Sequence, residues 1–348
     1  MLDFLIVGQG IAGSVLALQL QKRGKRVMVI NNRKTNIASS AAAGIYNPVT
    51  GRHMIKSWLA DDLFPYLISF YQEATRTLGG NFLHPMPIVR PFLTAHERAV
   101  WLENYEKRAY TPFIENIEAA CDNPENIYSK HGGLVLKQAG YVDVQAFLNA
   151  TRDHLRALDA YLEADFRYDQ VRLGKYVTYK HLRATYLIFC EGPQAKQNPF
   201  FRTLPFRLVK GELLVGTLCR PLKRIYNRGV FLVPRTTHAL VGATYDWKDH
   251  SLSPTENARE LLEARLHRTF NVCYTPQEQR VGIRPATFDR RPFIGLHSRH
   301  PQVGIFNGLG TKGVSLAPYF AEKFIDHLLL QKDLPSEVRL DRIKGIRI

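Results

Sequence analysis

The segment Gly8-Gln9-Gly10-Ile11-Ala12-Gly13 constrains this chain more than any other. It follows directly on Phe4-Leu5-Ile6-Val7, an apolar run that reads as a fully buried strand. It opens onto Ser14-Val15-Leu16-Ala17-Leu18-Gln19-Leu20, which has helical spacing and ends near Arg23-Gly24. Val27-Met28-Val29-Ile30 is a second buried strand at the right distance. Strand, glycine turn, helix and strand make a βαβ unit of the dinucleotide-binding kind. Gly8 permits the tight turn, Gly10 lets a pyrophosphate approach the backbone, and Gly13 lets the helix lie close to the strand. The helix start at Ile11 and Ala12 offers free N–H groups and a partial positive charge to that pyrophosphate. The bland alternative is a tight turn without a ligand.

The second strand ends unusually. An acid there normally accepts hydrogen bonds from the adenosine ribose. Asn31 and Asn32 occupy that end, 23 and 24 residues after Gly8. Asn31 accepts through its carbonyl oxygen but gives up the anionic acceptor. Arg33 and Lys34 follow, which keeps a 2′-phosphate, and so NADP, as a minor alternative.

At 348 residues the chain has room for one large domain or two, at about 100–200 residues each. Apolar residues at 45% and charged residues at 22% exclude a disordered or collagen-like chain. No apolar run approaches the ~18 residues that cross a bilayer. The opening Met1–Val7 has no basic n-region and no cleavage site, so no signal peptide is expected. Cys121, Cys190, Cys219 and Cys273 are scattered, which argues against a disulfide framework and a structural zinc site. The twelve histidines show no metal spacing, and no metal is assigned. A cytoplasmic, reducing setting fits these features. Lys+Arg is 47 against Asp+Glu 31, a net +16. Such a balance is either an indifferent basic surface or the footprint of an anionic partner such as nucleic acid.

Residues 80–139 carry no nucleotide signal and mix short apolar runs with Pro85, Pro87, Pro91 and Pro112. Strand patterns return around 161–192 and close with Tyr186–Phe189, Cys190, Glu191 and Gly192. Residues 206–244 are β-rich, 254–270 read as a helix, and a last helix is predicted over about 314–330. Between them come the glycine-punctuated blocks Gly282–Gly295 and Gly304–Gly313. There is no internal repeat, no nucleophile elbow and no catalytic-triad pattern.

These blocks, in this order, resemble the FAD-dependent oxidoreductase superfamily of D-amino-acid oxidase, glycine oxidase and sarcosine oxidase over almost the whole chain. Gly282-Ile283-Arg284-Pro285-Ala286-Thr287-Phe288-Asp289-Arg290-Arg291-Pro292-Phe293-Ile294-Gly295 is similar to the family block G-x-R-P-x-T-x-D-x-x-P-x-I-G. The resemblance implies noncovalent FAD, since no cysteine falls in that block. It implies an α/β fold, a Rossmann-like FAD-binding domain interleaved with a mainly antiparallel α+β substrate domain. The former would comprise 1–78, 140–205 and 280–348, and the latter 79–139 and 206–279. A narrower similarity, carried by Ala43-Gly44-Ile45-Tyr46-Asn47-Pro48 and Leu309-Gly310-Thr311-Lys312-Gly313, is to the oxidoreductase domain of the bacterial enzyme that trims the wobble-uridine side chain of tRNA. Its substrate is an N-substituted glycine on RNA, and the +16 charge would suit that partner.

The resemblance also places the site. Arg284 would hold a substrate carboxylate, the alternative being a structural pair with an acid such as Asp289. Lys312 matches by position the lysine of the sarcosine oxidase G-H-G-x-K segment, with Leu309 where many relatives carry histidine. A cation there would stabilise negative charge near the flavin, or it is an exposed loop lysine. Gly308, Gly310, Thr311 and Gly313 would offer backbone N–H groups to the flavin, or simply start the last helix. Ser39 and Ser40 would meet pyrophosphate or flavin, or cap a helix. Gly192 would close the cofactor strand, and Val171 would line the adenine pocket unless it is core. Tyr46 would shape the substrate pocket, with Arg52, His53 and Lys56 meeting an anionic substrate or lying in a solvated loop. The expected activity is oxidation of the C–N bond of a small amine or amino acid. The alternative is removal of a carboxymethyl group on tRNA, and the non-enzymatic reading is an FAD-binding protein without turnover.

Overall fold

The computed structural model describes residues 1–32, 37–50, 54–104, 107, 109–120, 125, 127 and 131–343. Eight elements position the site: β1 (Leu2–Val7), α1 (Ile11–Lys22), β2 (Val27–Asn31), β3 (Leu182–Phe189), β4 (Phe206–Leu218), β5 (Tyr274–Thr287), β6 (Val303–Asn307) and α2 (Gly313–Leu330).

β1 lies between β2 and β3, parallel to both, and β3 pairs in parallel with β6. Parallel strands covered on both faces read as apolar runs, as Phe4–Val7, Val27–Ile30 and Leu187–Phe189 do. The ends of β1, β2, β3 and β6 therefore point the same way, towards the crevice where such sheets take their ligands. Tyr161–Glu163 extends the sheet beyond β2, also in parallel. The Ala164 N–H then donates to the Asn31 carbonyl at 3.2 Å, which brings the next residue, Asp165, to the end of β2. α1 and α2 pack on each other, and the Gln19 side-chain amide donates to the Pro318 carbonyl at 2.9 Å.

The second sheet has eight strands and is mainly antiparallel. Its longest pairing joins β4 to β5 from Phe206↔Thr287 to Leu218↔Tyr274, with one irregularity at Val215/Gly216. β5 runs unbroken through residue 280. Side chains alternate across a strand. Arg207, Val209 and Gly211, with their partners Ala286, Arg284 and Gly282, share the face that lines the cleft. Lys210 points the other way and is fully buried. Along the free edge of β4, Asp246 and Lys210 exchange both backbone hydrogen bonds, at 2.8 and 2.9 Å. That bridge puts Tyr245 and Trp247 on the cleft face. One apolar cluster spans both sheets, from Phe4 and Leu16 to Leu213 and Val233.

The cysteines are closer in space than their spacing suggests. Cys219 and Cys273 form a disulfide with Cα atoms 5.6 Å apart, although 54 residues separate them. The Leu218↔Tyr274 pair at the end of the β4–β5 ladder brings them together. Cys190 is a buried free thiol, and Cys121 lies outside the described residues. Among the described residues no helix is long and apolar enough to cross a membrane, and no His/Cys/Asp/Glu group is placed to hold a metal ion.

Candidate active site

A single cleft of about 2080 Å³ runs from the Gly8–Ala12 loop to the underside of β4 and β5. Sites for drug-sized ligands span about 300–1,000 Å³, so this one has room for a dinucleotide cofactor and a substrate together. Gly8 has φ +98°, and a side chain there would strike the Cys190 carbonyl. A side chain on Gly13 would overlap the Gly8 carbonyl oxygen. Gly10 is different: a Cβ there would meet only the Ser39 hydroxyl, at 3.2 Å, so its open side faces the cleft. The Ser39 hydroxyl accepts from the Ile11 N–H at 3.1 Å and fixes the start of α1. Ser40 is exposed and is not part of the cleft wall.

At the end of β2, Asn31 lines the cleft. Its carbonyl oxygen accepts from the Gln9 N–H at 2.8 Å, and its amide lies 3.4 Å from the Tyr161 hydroxyl. It thereby holds the glycine loop. Asn32 donates to Asp165 at 2.5 Å. The second oxygen of Asp165 carries no hydrogen bond among the described residues, and Asp165 lines the cleft. An acid therefore stands in the cleft beside the end of β2, two residues beyond the neighbouring strand. Sequence spacing measured from Gly8 could not find it. Arg33 and Lys34 lie outside the described residues.

Glu191 is a second cleft residue that motif reasoning passed over. It accepts from the Tyr168 hydroxyl at 2.6 Å and the Asn198 amide at 2.7 Å. Burial nevertheless pushes its carboxyl up to about 7. Gly192 follows it, and its carbonyl accepts from the Asn307 amide at 2.9 Å, while the Asn307 oxygen takes the Gly308 N–H at 2.8 Å. This ties the loop before α2 to the loop after β3. α2 begins at Gly313 with no acid in its first turn, so its positive end faces the cleft unopposed.

Arg284 projects from β5 onto Gly211, whose missing side chain makes the space. Its guanidinium donates to the Thr244 carbonyl at 3.2 Å and lies 4.7 Å from the Tyr245 ring centre. No carboxylate pairs with it among the described residues. Asp289 is committed elsewhere, to Arg342 at 2.9 Å. Lys312 caps α2, and its ammonium donates to the Ser57 hydroxyl at 3.0 Å and reaches Thr50 at 3.5 Å. Burial, with Arg291 and Arg290 nearby, pushes it down to about 8. Arg291 itself stacks on Trp58 at 3.8 Å. Gly308, Gly310, Thr311 and Gly313 all line the cleft beside Lys312.

Two further expected site residues, besides Ser40, lie outside the cleft wall. Tyr46 is 1% exposed, packs against Phe64 with ring centres 6.3 Å apart, and belongs to the core. Its hydroxyl abuts Gly140, and burial pushes its phenol up. The short pairing of Ile45–Tyr46 with Gly140–Tyr141 turns the ring inward. Val171 pairs with Tyr179 and packs on the core cluster around Phe189, not on the cleft. Lys56 lines the cleft but is paired with Asp61 at 2.5 Å, and Arg52 and His53 lie outside the described residues.

A parallel sheet with a glycine cradle, roofed by an antiparallel sheet, is the architecture of an FAD-dependent oxidoreductase. The chain belongs to the family of FAD dependent oxidoreductases, which it matches over residues 3–326. It is 25% identical, over 94% of its length, to the tRNA 5-methylaminomethyl-2-thiouridine biosynthesis bifunctional protein MnmC of Marinobacter nauticus, and it covers 55% of that protein. The chain thus spans about half the length of the curated relatives it matches. In structure it is similar to glycine oxidase from Geobacillus kaustophilus, with a TM-score of 0.79 at 18% identity, covering 99% of both chains. It is also similar to iminodiacetate oxidase from Chelativorans sp., with a TM-score of 0.78 at 20% identity, covering 96% of this chain and 98% of the other. The cofactor is FAD, and the cleft offers such a group the open backbone at Gly10, the Asp165 carboxylate and the Gly308–Gly313 loop.

Proposed function

We propose that the protein oxidises the C–N bond of a small amine or amino acid bearing a carboxylate, in the class of glycine, N-methylglycine and D-amino acids. One observation carries this reading: Arg284, a guanidinium in the cleft with no acid paired to it among the described residues, on the sheet that roofs the glycine loop. When bound, FAD supplies the two-electron acceptor that takes a hydride from the substrate carbon. The remaining work falls to the chain. Arg284 takes the carboxylate on its planar fork, which fixes how the carbon is presented. Gly211 beneath and Tyr245 beside it hold the fork in one plane. Val209, Leu213 and Leu309 line the cleft around it and exclude water. The nitrogen, bound as the free amine, gives up its proton to water. The imine that remains hydrolyses to a carbonyl compound and an amine. In this reading residues 1–78, 140–205 and 280–348 form the FAD-binding domain, from which Arg284 reaches the substrate, and 79–139 and 206–279 form the substrate domain.

The test is the visible flavin spectrum under anaerobic conditions, before and after adding glycine, N-methylglycine, proline and D-amino acids. Bleaching by one of these amines is the expected outcome. If Arg284→Met leaves the apparent affinity for every carboxylate substrate unchanged, Arg284 does not have this role.

A second reading is favoured by the cleft's charge. Among the described residues, eight arginines and two lysines line it against two acids, Asp165 and Glu191, both on the dinucleotide-binding side. A cleft so cationic on its substrate side suits an N-substituted glycine carried on RNA, from which the same oxidation would release the carboxymethyl group. Reduction of the flavin by undermodified tRNA, but by no free amine, would select it.

A further inference from the structure

Three aromatic rings stand open to water at the mouth of the cleft. Tyr245, Trp247 and Phe288 are 59%, 57% and 50% exposed, and all three line it. The backbone places them on one face. The Asp246–Lys210 bridge sets Tyr245 opposite Gly211 and Trp247 opposite Val209. On the other side of β4, Arg284 stands opposite Val209 and Ala286 opposite Arg207, and Phe288 follows Ala286 on the same side. Rings and guanidiniums are interleaved, with Arg207 and Arg290 exposed among them.

The strap that carries Tyr245 and Trp247 is held from behind. The Lys210 ammonium, 1% exposed, donates to Asp249 at 2.5 Å, to the Ser253 carbonyl at 2.7 Å and to Ser251 at 3.2 Å. Asp246 in turn accepts from the Lys248 and Asp249 N–H groups at 2.8 and 3.0 Å. Glu212 takes the Thr255 N–H and hydroxyl, both at 2.9 Å, and closes the far end of the strap. A buried lysine knot of this kind anchors the strap that presents the two rings to water.

We propose that this face is a stacking platform for the bases of a single-stranded nucleic acid, whose phosphates meet the surrounding arginines. It rests on the RNA-borne reading above and adds the residues that would recognise the strand. Tyr245 and Trp247 are same-face neighbours on one strap, about 6.8 Å apart, room for a planar group between them. With Phe288 across β4, the face offers stacking surface to successive planar groups on one flexible anion. Every base offers a π-face, and the arginines add cation–π and phosphate contacts. Duplex bases are stacked on each other and present no face to such rings. An acidic protein surface would pair with the arginines but would leave the rings unmatched.

The test uses the FAD-loaded full chain and three probes: a short mixed-sequence single-stranded oligoribonucleotide, the same sequence as a duplex, and inorganic polyphosphate. Trp101 is buried and Trp58 is stacked on Phe320, so quenching of exposed tryptophan emission reports on Trp247. The single strand is expected to quench that emission, and polyphosphate is not. Trp247→Ala with Phe288→Ala is expected to weaken single-strand binding by about tenfold or more while polyphosphate binding is unchanged. An unchanged flavin spectrum shows that this variant is folded. Equal losses for both polyanions, tighter duplex binding, or no single-strand binding at low salt would each overturn the platform. So would self-association that the variant abolishes without changing RNA affinity. The binding assay needs no turnover, so its failure is distinct from a failure of the oxidation reading, which flavin bleaching tests alone.

Discussion

An alanine at position 211 would place its Cβ inside the guanidinium of Arg284, nearer than the 3.0 Å that real Cβ contacts respect. The backbone there is an ordinary strand paired on both sides, so alanine itself costs the fold little. The guanidinium is the far end of a flexible side chain and must retreat by about 1 Å. Its charge stays in the cleft, but its fork no longer presents two parallel N–H groups at the original place. A misplacement of ~1 Å costs on the order of a hundredfold in rate, close to 2.7 kcal/mol of barrier. Gly211→Ala should therefore lower kcat/KM for carboxylate-bearing amines by about that factor. An amine without a carboxylate should lose little. The assay is the rate of anaerobic flavin bleaching against substrate concentration, with the oxidised spectrum and melting temperature as folding controls. A kcat/KM within about threefold of the parent protein would refute the role of Arg284 as the carboxylate anchor.

Lys312, pushed down to about 8, should make kcat/KM fall as pH rises past that value, and Lys312→Met should remove that limb of the profile. Because its folded value lies below the ordinary 10.5, the folded state holds fewer protons than the unfolded one between about 8 and 10.5, so this group's contribution to stability rises with pH as activity falls. Glu191 has the opposite sign. Its folded value near 7 lies above the ordinary 4.5, so the folded state holds the extra proton and stability drains away between those values as pH rises. The loss is about 3 kcal/mol at full titration, and melting curves of Glu191→Gln should lack it. Asp165→Asn should weaken FAD binding by about tenfold or more, read as the dissociation constant from flavin fluorescence quenching, and an unchanged constant would remove Asp165 from the cofactor site.

What could be read early was local. The strand, glycine turn and helix of the first thirty residues are contiguous, and the observed β1, α1 and β2 follow that reading within a few positions. The last helix, expected over about 314–330, runs Gly313–Leu330. Arg284 was legible because it sits in a dense motif. Asp165 was not, because no pattern links it to Gly8 across the chain. Tyr46 misled for the same reason: its place in a small-residue loop pointed to the cleft, and its pairing partner at Gly140 turned it into the core.

The sequence by itself determined that the chain builds a dinucleotide cradle, because glycines without side chains are needed within one short turn and nothing else fits there. The tertiary structure decided how the cradle is completed and what faces it. Parallel pairing beside β2 delivers Asp165, antiparallel register lays Arg284 on Gly211, and a buried lysine sets two rings at the cleft mouth. Each depends on register between segments far apart in the chain. A shift of one residue moves every side chain of a strand to the other face, and local patterns do not specify that choice.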